Sequence, residues 1–207
     1  MKVVIFDTET TWLPNKAEPD LNNQPYIIQF AGIEIEMKDD WEYEEIKRLN
    51  IMIKPPINIP YWVSEIHWIY DVDLRNSKSF ISHSEEISKF LNEADVVVWH
   101  NIEFDNLMLR IEFDRLKLQW LLVDYYPKQT ICTMNESTNW CKLSKKNSSS
   151  KWFKRPKLQE LVRKTIWEFF AWAHNAIVDV EWTTKALSVL VKEWVINFKE
   201  NNKLSIF

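Results

Sequence analysis

One glycine in 207 residues leaves this chain almost without the residue that most readily makes tight turns and helix ends. Average usage of about 7% would supply roughly 14 in this length. The chain instead carries 12 tryptophans, and several stand where glycine chemistry is wanted. Trp41 follows Asp39-Asp40 between two alternating apolar runs, where Asp-Gly would make a type I′ hairpin turn. Trp194 follows a helical pattern ending Val191-Lys192-Glu193, the place for a left-handed cap residue. Trp12 precedes Leu13-Pro14 just after a strand, again a turn position. We read most of these tryptophans as UGA codons translated under the wrong genetic code. Some bacterial lineages read UGA as glycine, and other codes read it as tryptophan. The alternative is a Trp-rich protein with aromatic anchors, which UGG codons at these positions would select.

The remaining composition is that of one ordinary domain. Hydrophobic residues make up 46% and charged residues 27%, enough to bury a real core at this length. No stretch approaches the roughly 18 apolar residues of a membrane span. Only Val3 to Phe6 are apolar before Asp7, too few for a signal peptide. Cys132 and Cys141 give neither a disulfide framework nor a four-ligand zinc site. A cytoplasmic protein is expected. The net charge of −4 does not by itself suggest a nucleic-acid binder, but its distribution is uneven. Between Lys142 and Lys157 lie seven basic residues and no acidic one, with Ser148, Ser149 and Ser150 in the middle. Such a run is either a solvated loop or a basic flap over a phosphate backbone.

Residues 2–7 read as a buried strand ending in a carboxylate. Apolar runs at 26–38 and 43–54 complete an antiparallel meander that Pro55, Pro56 and Pro60 end. A loop through His67-Trp68-Ile69 follows. Ile87, Phe90 and Leu91 mark an amphipathic helix with Ser84 as its cap. Asp95 to Val98 is a strand, Phe104 to Leu118 a helix, and Lys128 to Thr133 another strand. Helices near 158–164 and 179–192 close the pattern. Strands followed by alternating helices and strands imply a mixed α/β sheet in one layered domain, residues 1–194. A short tail covers 195–207.

Asp7 and Glu9 stand two apart at the end of the first strand, so alternation puts both carboxylates on one face. Acids that close repel each other, and a hard divalent cation relieves the repulsion. Alone the pair is a weak signal. The wider pattern is stronger. Asp7-Thr8-Glu9-Thr10-Thr11-Trp12-Leu13-Pro14 resembles the first motif of the DEDDh branch of DEDD exonucleases. Trp99-His100-Asn101-Ile102-Glu103-Phe104-Asp105 resembles their second motif. Ala173-His174-Asn175-Ala176-Ile177-Val178-Asp179 is similar to the third, His-x4-Asp. His67-Trp68-Ile69 matches a His-Gly-Ile stretch common between the first two. Trp12, Trp68, Trp99 and Trp172 are the departures, each replacing a family glycine or small residue.

The resemblance spans residues 1–192 and implies a ribonuclease H-like mixed five-stranded sheet, three antiparallel strands then two parallel, flanked by helices. It implies hydrolysis of nucleic-acid 3′ ends, single-stranded or frayed, by two Mg²⁺ ions that Mn²⁺ would replace. Two metals roughly 3.5–4 Å apart stabilise the attacking and leaving oxygens. Asp7 would bridge the ions, Glu9 and Asp179 would complete the nucleophile metal's site, and Asp105 would support the second. His174 would be the general base, its pKa lying near working pH. Thr10 and the basic residues Lys145, Lys146, Lys151, Lys154 and Arg155 would contact nucleic acid, with His100, Asn101 and Asn175 ordering the site from behind. The likeness is closest to the proofreading epsilon-like group, with RNase T and oligoribonuclease as siblings. DNA proofreading is therefore the first reading, RNA processing the second, and an inactive nucleic-acid-binding domain the third. The end, Lys203-Leu204-Ser205-Ile206-Phe207, is similar to the Gln-Leu-Ser-Leu-Phe peptide that docks on bacterial sliding clamps, with Lys203 in place of the Gln. A clamp and a DNA polymerase are the implied partners.

Overall fold

A computed structural model describes residues 1–38, 42–145, 152–168 and 174–198. Its strands are β1 (Lys2–Thr10), β2 (Ile27–Met37), β3 (Tyr43–Met52), β4 (Val96–Trp99) and β5 (Thr130–Cys132). Its helices are α1 (Tyr61–His67), α2 (Ser84–Asn92), α3 (Ile102–Leu118), α4 (Thr133–Glu136), α5 (Thr138–Cys141), α6 (Leu158–Ile166) and α7 (Ala176–Lys192). The strands form one sheet in the order β3-β2-β1-β4-β5. β1 to β3 pair antiparallel, while β4 lies parallel to β1 and β5 parallel to β4. This is the expected mixed sheet with its expected sequence of directions.

The apolar run Val3-Val4-Ile5-Phe6 places β1 at the centre, where β-branched side chains pack on both faces. On one face Val3 and Ile5 join Leu187, Leu190 and Val191 of α7 and Leu161 of α6. On the other, Val4 and Phe6 meet Phe90 of α2 and Met108, Leu109 and Phe113 of α3. A strand filled on both sides has one open place for polar groups, its C-terminal end. The loop from β1 to β2 is fixed by a buried acid and its partner. Glu112 accepts the Ile27 N–H at 2.9 Å, and Arg115 donates to the carbonyls of Leu21, Gln24 and Pro25. No helix among the described residues is long and apolar enough to cross a membrane.

Four expectations need correction. The His67 region is not all loop, because Tyr61–His67 is a short helix whose seven residues show no full period. Ser84 does not cap α2: it lies inside the helix, and its hydroxyl donates to the Ile81 carbonyl at 2.9 Å. A 3-10 turn at Phe80–Ser82 runs nearly straight into α2, so no extended cap residue precedes it. α7 starts at Ala176, three residues before Asp179. The packed fold also continues past 194, since Ile196 and Phe198 are buried in the α7-side core.

Among the described residues, seven non-glycine positions have a left-handed backbone: Trp68, Asn101, Trp120, Lys142, Trp167, His174 and Trp194. Gly32 is not among them. It sits on β2, where an added Cβ would lie 2.5 Å from the Phe90 ring. Trp41, Lys146, Lys151, Trp172 and Lys203–Phe207 fall outside the described residues.

Candidate active site

β1 extends beyond the end of parallel β4, since their pairing covers Val3–Ile5 only. Its last residues therefore reach an open edge. Asp7 and Glu9 are half-buried there, alternating with buried Thr8 and Thr10. A register shift between Glu9 and Thr10 ends regular pairing with β2, a bulge of the kind that re-aims side chains beside active sites. α7 crosses β1 and β2 and brings Asp179 in on its first turn. Carboxylate oxygens of Asp7, Glu9 and Asp179 lie within 4.8 Å of one another. Asp105 comes from the first turn of α3 and is buried. It stands outside that group of three. Its Oδ1 accepts the Thr8 N–H at 3.1 Å and the Thr8 hydroxyl at 2.7 Å, which ties it to β1 between the other two acids. Asp105 and Asp179 both sit at helix N-termini, where the helix dipole favours negative charge.

That dipole does not cancel the repulsion. Burial, then Asp105, Asp179 and Glu9, push the Asp7 carboxyl well above the usual carboxylate range. Burial, then Asp179 and Asp105, do the same to Glu9. Burial raises Asp105 to about 7 against the two Thr8 hydrogen bonds. Burial raises Asp179 to about 6 against the hydrogen bond from the His174 backbone. Asp179 also leaves Oδ1 buried without a partner among the described residues. Four acids destabilised by one another, with an unpartnered oxygen between them, make an all-oxygen donor set for a hard divalent cation. The residues fit the metal.

His174 is exposed and left-handed, and its N–H donates to Asp179 Oδ2 at 3.2 Å. Burial of the ring and the charge of Lys157 lower its pKa, so it stays unprotonated and able to accept a proton near neutral pH. The turn that carries it is held by Gln29, which lies opposite Glu9 in the β1–β2 register. The Gln29 amide oxygen accepts the N–H of Ala176, first residue of α7, at 3.1 Å. Its amide nitrogen donates to Asn50 at 2.9 Å and to Asn175 at 3.4 Å. Asn175 thus accepts a bond from Gln29, a residue the motifs do not contain. The available signal was one amide inside the apolar run Ile27-Ile28-Gln29-Phe30.

The other expected residues divide. His100 is a strut: Nδ1 lies 3.0 Å from the Thr133 hydroxyl and Nε2 lies 3.1 Å from the Pro156 carbonyl. Only an N–H can serve a carbonyl, so Nε2 donates and Nδ1 accepts. Asn101 is exposed and contributes a left-handed turn ahead of α3. The Thr10 hydroxyl is buried and engaged on the Trp12 carbonyl at 2.8 Å. Lys154 is paired with Glu160 at 2.5 Å, and Arg155 faces Glu103 at 3.9 Å. Lys145 is exposed. Lys157, whose charge reaches His174, was not singled out within the basic run.

His67 is a second residue the motif reading left without a role. It is 2% exposed, and its Nδ1 accepts the Ile69 N–H at 3.0 Å. Burial, with a smaller effect of His174, lowers its pKa to about 4.

Comparison with known proteins gives the same reading. The Exonuclease family (RNase_T) matches residues 4–187. DNA polymerase III subunit epsilon of Buchnera aphidicola subsp. Schizaphis graminum (strain Sg) is 29% identical over 115 residues, 56% of this chain and 46% of its own length. The chain thus matches less than half the length of that relative. Among solved structures, the nuclease domain of 3′hExo, a DEDDh family member bound to rAMP, superposes with a TM-score of 0.69 at 13% identity, covering 93% of this chain and 92% of that one. Exonuclease X in complex with 5′ overhanging duplex DNA gives 0.59 at 16%, covering 97% of both. At such identities the superpositions establish the fold.

Proposed function

The chain belongs to the Exonuclease family, and we propose that it is a metal-dependent 3′→5′ exonuclease that trims mispaired or frayed DNA 3′ ends as a cytoplasmic proofreading or repair enzyme. The observation that carries the reading is the convergence of Asp7, Glu9 and Asp179 within 4.8 Å around an unpartnered buried oxygen. Asp7, Glu9 and Asp179 would hold one Mg²⁺, and Asp7 with Asp105 a second. When bound there, such ions would supply a nucleophilic water at neutral pH and stabilise the leaving oxygen. His174 takes the proton from that water at a ring nitrogen. Its backbone bond to Asp179 keeps base and ligand in register. Asp105, anchored by Thr8, would help hold the second ion. Cations of the 142–157 segment follow the phosphate backbone toward the site.

The epsilon relative favours DNA. Trimming of RNA is the second reading, favoured by the rAMP-bound neighbour. A labelled single strand, a duplex with a mispaired 3′ end and a short RNA, each incubated with Mg²⁺, test both. Shortening from the 3′ end that is faster on the mispaired duplex than on RNA is expected, and RNA preference would reverse the assignment. No shortening on any of them, with intact binding, would favour the inactive binding domain. We also propose that Lys203–Phe207 docks on a sliding clamp beside a polymerase. Fluorescence titration of the last ten residues with the cognate clamp tests it, and no saturable binding removes the clamp.

A further inference from the structure

Alternation along β2 turns Gln29, Ala31, Ile33, Ile35 and Met37 to one face, and the last four join the core beneath α7. Gln29 is the polar exception in that apolar stripe, and it is 1% exposed. A buried amide is costly unless its hydrogen bonds are made. Here all three are. The Ala176 N–H can only donate, so the amide oxygen must face it, which leaves the nitrogen for Asn50 and Asn175. α7 needs this partner. Its N-cap residue, Asn175, makes no side-chain bond to the helix, and the first N–H groups of a helix have no partner within it. Gln29 therefore caps α7 from the sheet. The same residue lies opposite Glu9 in the β1–β2 register, and directly opposed residues share a face. Ala176, for its part, stands two positions after His174 and three before Asp179. One amide thus joins the strand end that bears Glu9 to the turn that bears the base and the last carboxylate.

We propose that Gln29 is a positioning residue for the reaction: it sets the start of α7 against β1, so that His174 and Asp179 meet Asp7 and Glu9. It acts through Ala176 and Asn175, not on the substrate, and the assignment rests on the exonuclease reading. Gln29→Met keeps the length and loses every polar atom. Its kcat on a labelled single strand with Mg²⁺ should fall about 10–100-fold, with little change in KM. Gln29→Glu keeps an oxygen for the Ala176 N–H, and the start of α7 favours its charge. It should recover most of the loss. Ile35→Val loosens the same stripe opposite Val3, at the far end from the site, and should lower Tm without lowering kcat. Unchanged kcat in Gln29→Met overturns the proposal. So does an equal loss in Gln29→Glu, or in Ile35→Val. Should Gln29→Met not fold, Asn50→Ala decides, since Asn50 is exposed. Freeing one end of the amide should lower kcat about 2–10-fold, and an unchanged kcat counts against Gln29. Should wild type leave every 3′ end intact, the exonuclease reading fails on its own account. Calorimetric Mn²⁺ binding then decides. About 10–100-fold weaker binding in Gln29→Met, restored in Gln29→Glu, is expected, and equal affinity in all three overturns the assignment.

A separate observation, on the backbone, carries a second inference. Trp68, Trp120, Trp167 and Trp194 are left-handed, and each stands one or two residues past a helix, α1, α3, α6 and α7 in turn. Two of them close a Schellman pattern. The Trp120 N–H donates to the Lys117 carbonyl and the Leu121 N–H to that of Leu116. The Trp194 N–H likewise donates to Val191 and the Val195 N–H to Leu190. Glycine is the usual residue at such a position. We infer that the natural chain carries glycine at 68, 120, 167 and 194. Trp120→Gly should raise Tm by roughly 2–8 °C, and Trp120→Ala should not, because the Cβ remains. Equal gains from both, or none from glycine, overturn the inference. Peptide mass spectrometry of protein from its source should read glycine at 120, and tryptophan there would sink it.

Discussion

The site and the basic segment beside it hold opposite charges, and they hold them in opposite ways. Asp7, Glu9, Asp105 and Asp179 lie on strands and helix first turns, packed so tightly that their carboxyls are raised by burial and by one another. The described basic residues lie outside the named helices and strands, where Lys154 and Arg155 have acidic neighbours of their own. A rigid frame can keep like charges in mutual repulsion until a cation arrives. A loop lets each charge settle its account locally. The acids are therefore poised and the bases partly spent.

The largest effect should come from breaking the acid cluster. Asp7→Asn is expected to abolish cleavage while raising Tm in EDTA at pH 8, because it removes one of the repelling charges. A lower Tm would mean that the cluster is not under strain. Next comes the base. His174→Ala should reduce kcat by about 10²–10⁴ with a small change in KM, and a change confined to KM would remove it from catalysis.

Metal removal should expose the cluster through pH. The folded-state values of about 7 for Asp105 and about 6 for Asp179 stand above an ordinary 3.8. The folded chain then holds protons that the unfolded chain has released, so stability falls as pH rises from about 4 and levels off above about 7. His67 and His100 act the other way. Both are lowered to about 4 from 6.5, so their contribution is present above 6.5 and is lost as pH falls toward 4. Above pH 6.5 the acids alone remain. Calorimetry in EDTA should show Tm falling from there to pH 8, and Mg²⁺ should flatten the slope. A flat profile in EDTA would contradict the raised acids. The smallest effect tests the spent bases: Glu160→Gln should release Lys154 and steepen the salt dependence of single-strand binding by about 0.7 in log–log slope.

Much of this was legible in the chain, for identifiable reasons. β1 to β3, α3 and α7 repeat their periods often enough to be seen. Asp7 and Glu9 sit on one strand, and His174 stands five positions before Asp179 on the turn that enters α7, so short spacing records them. α1, α4 and α5 are four to seven residues long and never complete a pattern. Gln29 and Ala176 are 147 positions apart, and nothing local to either announces the bond. That His67 Nε2 lacks a partner among the described residues is likewise a property of what surrounds it in space. The pairing of Lys154 with Glu160 follows from the fold of a segment whose sequence showed only an excess of positive charge.

The order in which the ligands occur along the chain has a consequence for timing. Asp7 and Glu9 leave the ribosome first, and Asp179 arrives 172 residues after Asp7 on the helix that also fixes the base. A chain stopped short of α7 carries Asp7, Glu9, Asp105 and His174 but lacks Asp179 and the helix that positions it. The cluster of three carboxylates is therefore completed only when α7 has been made and has docked on the sheet.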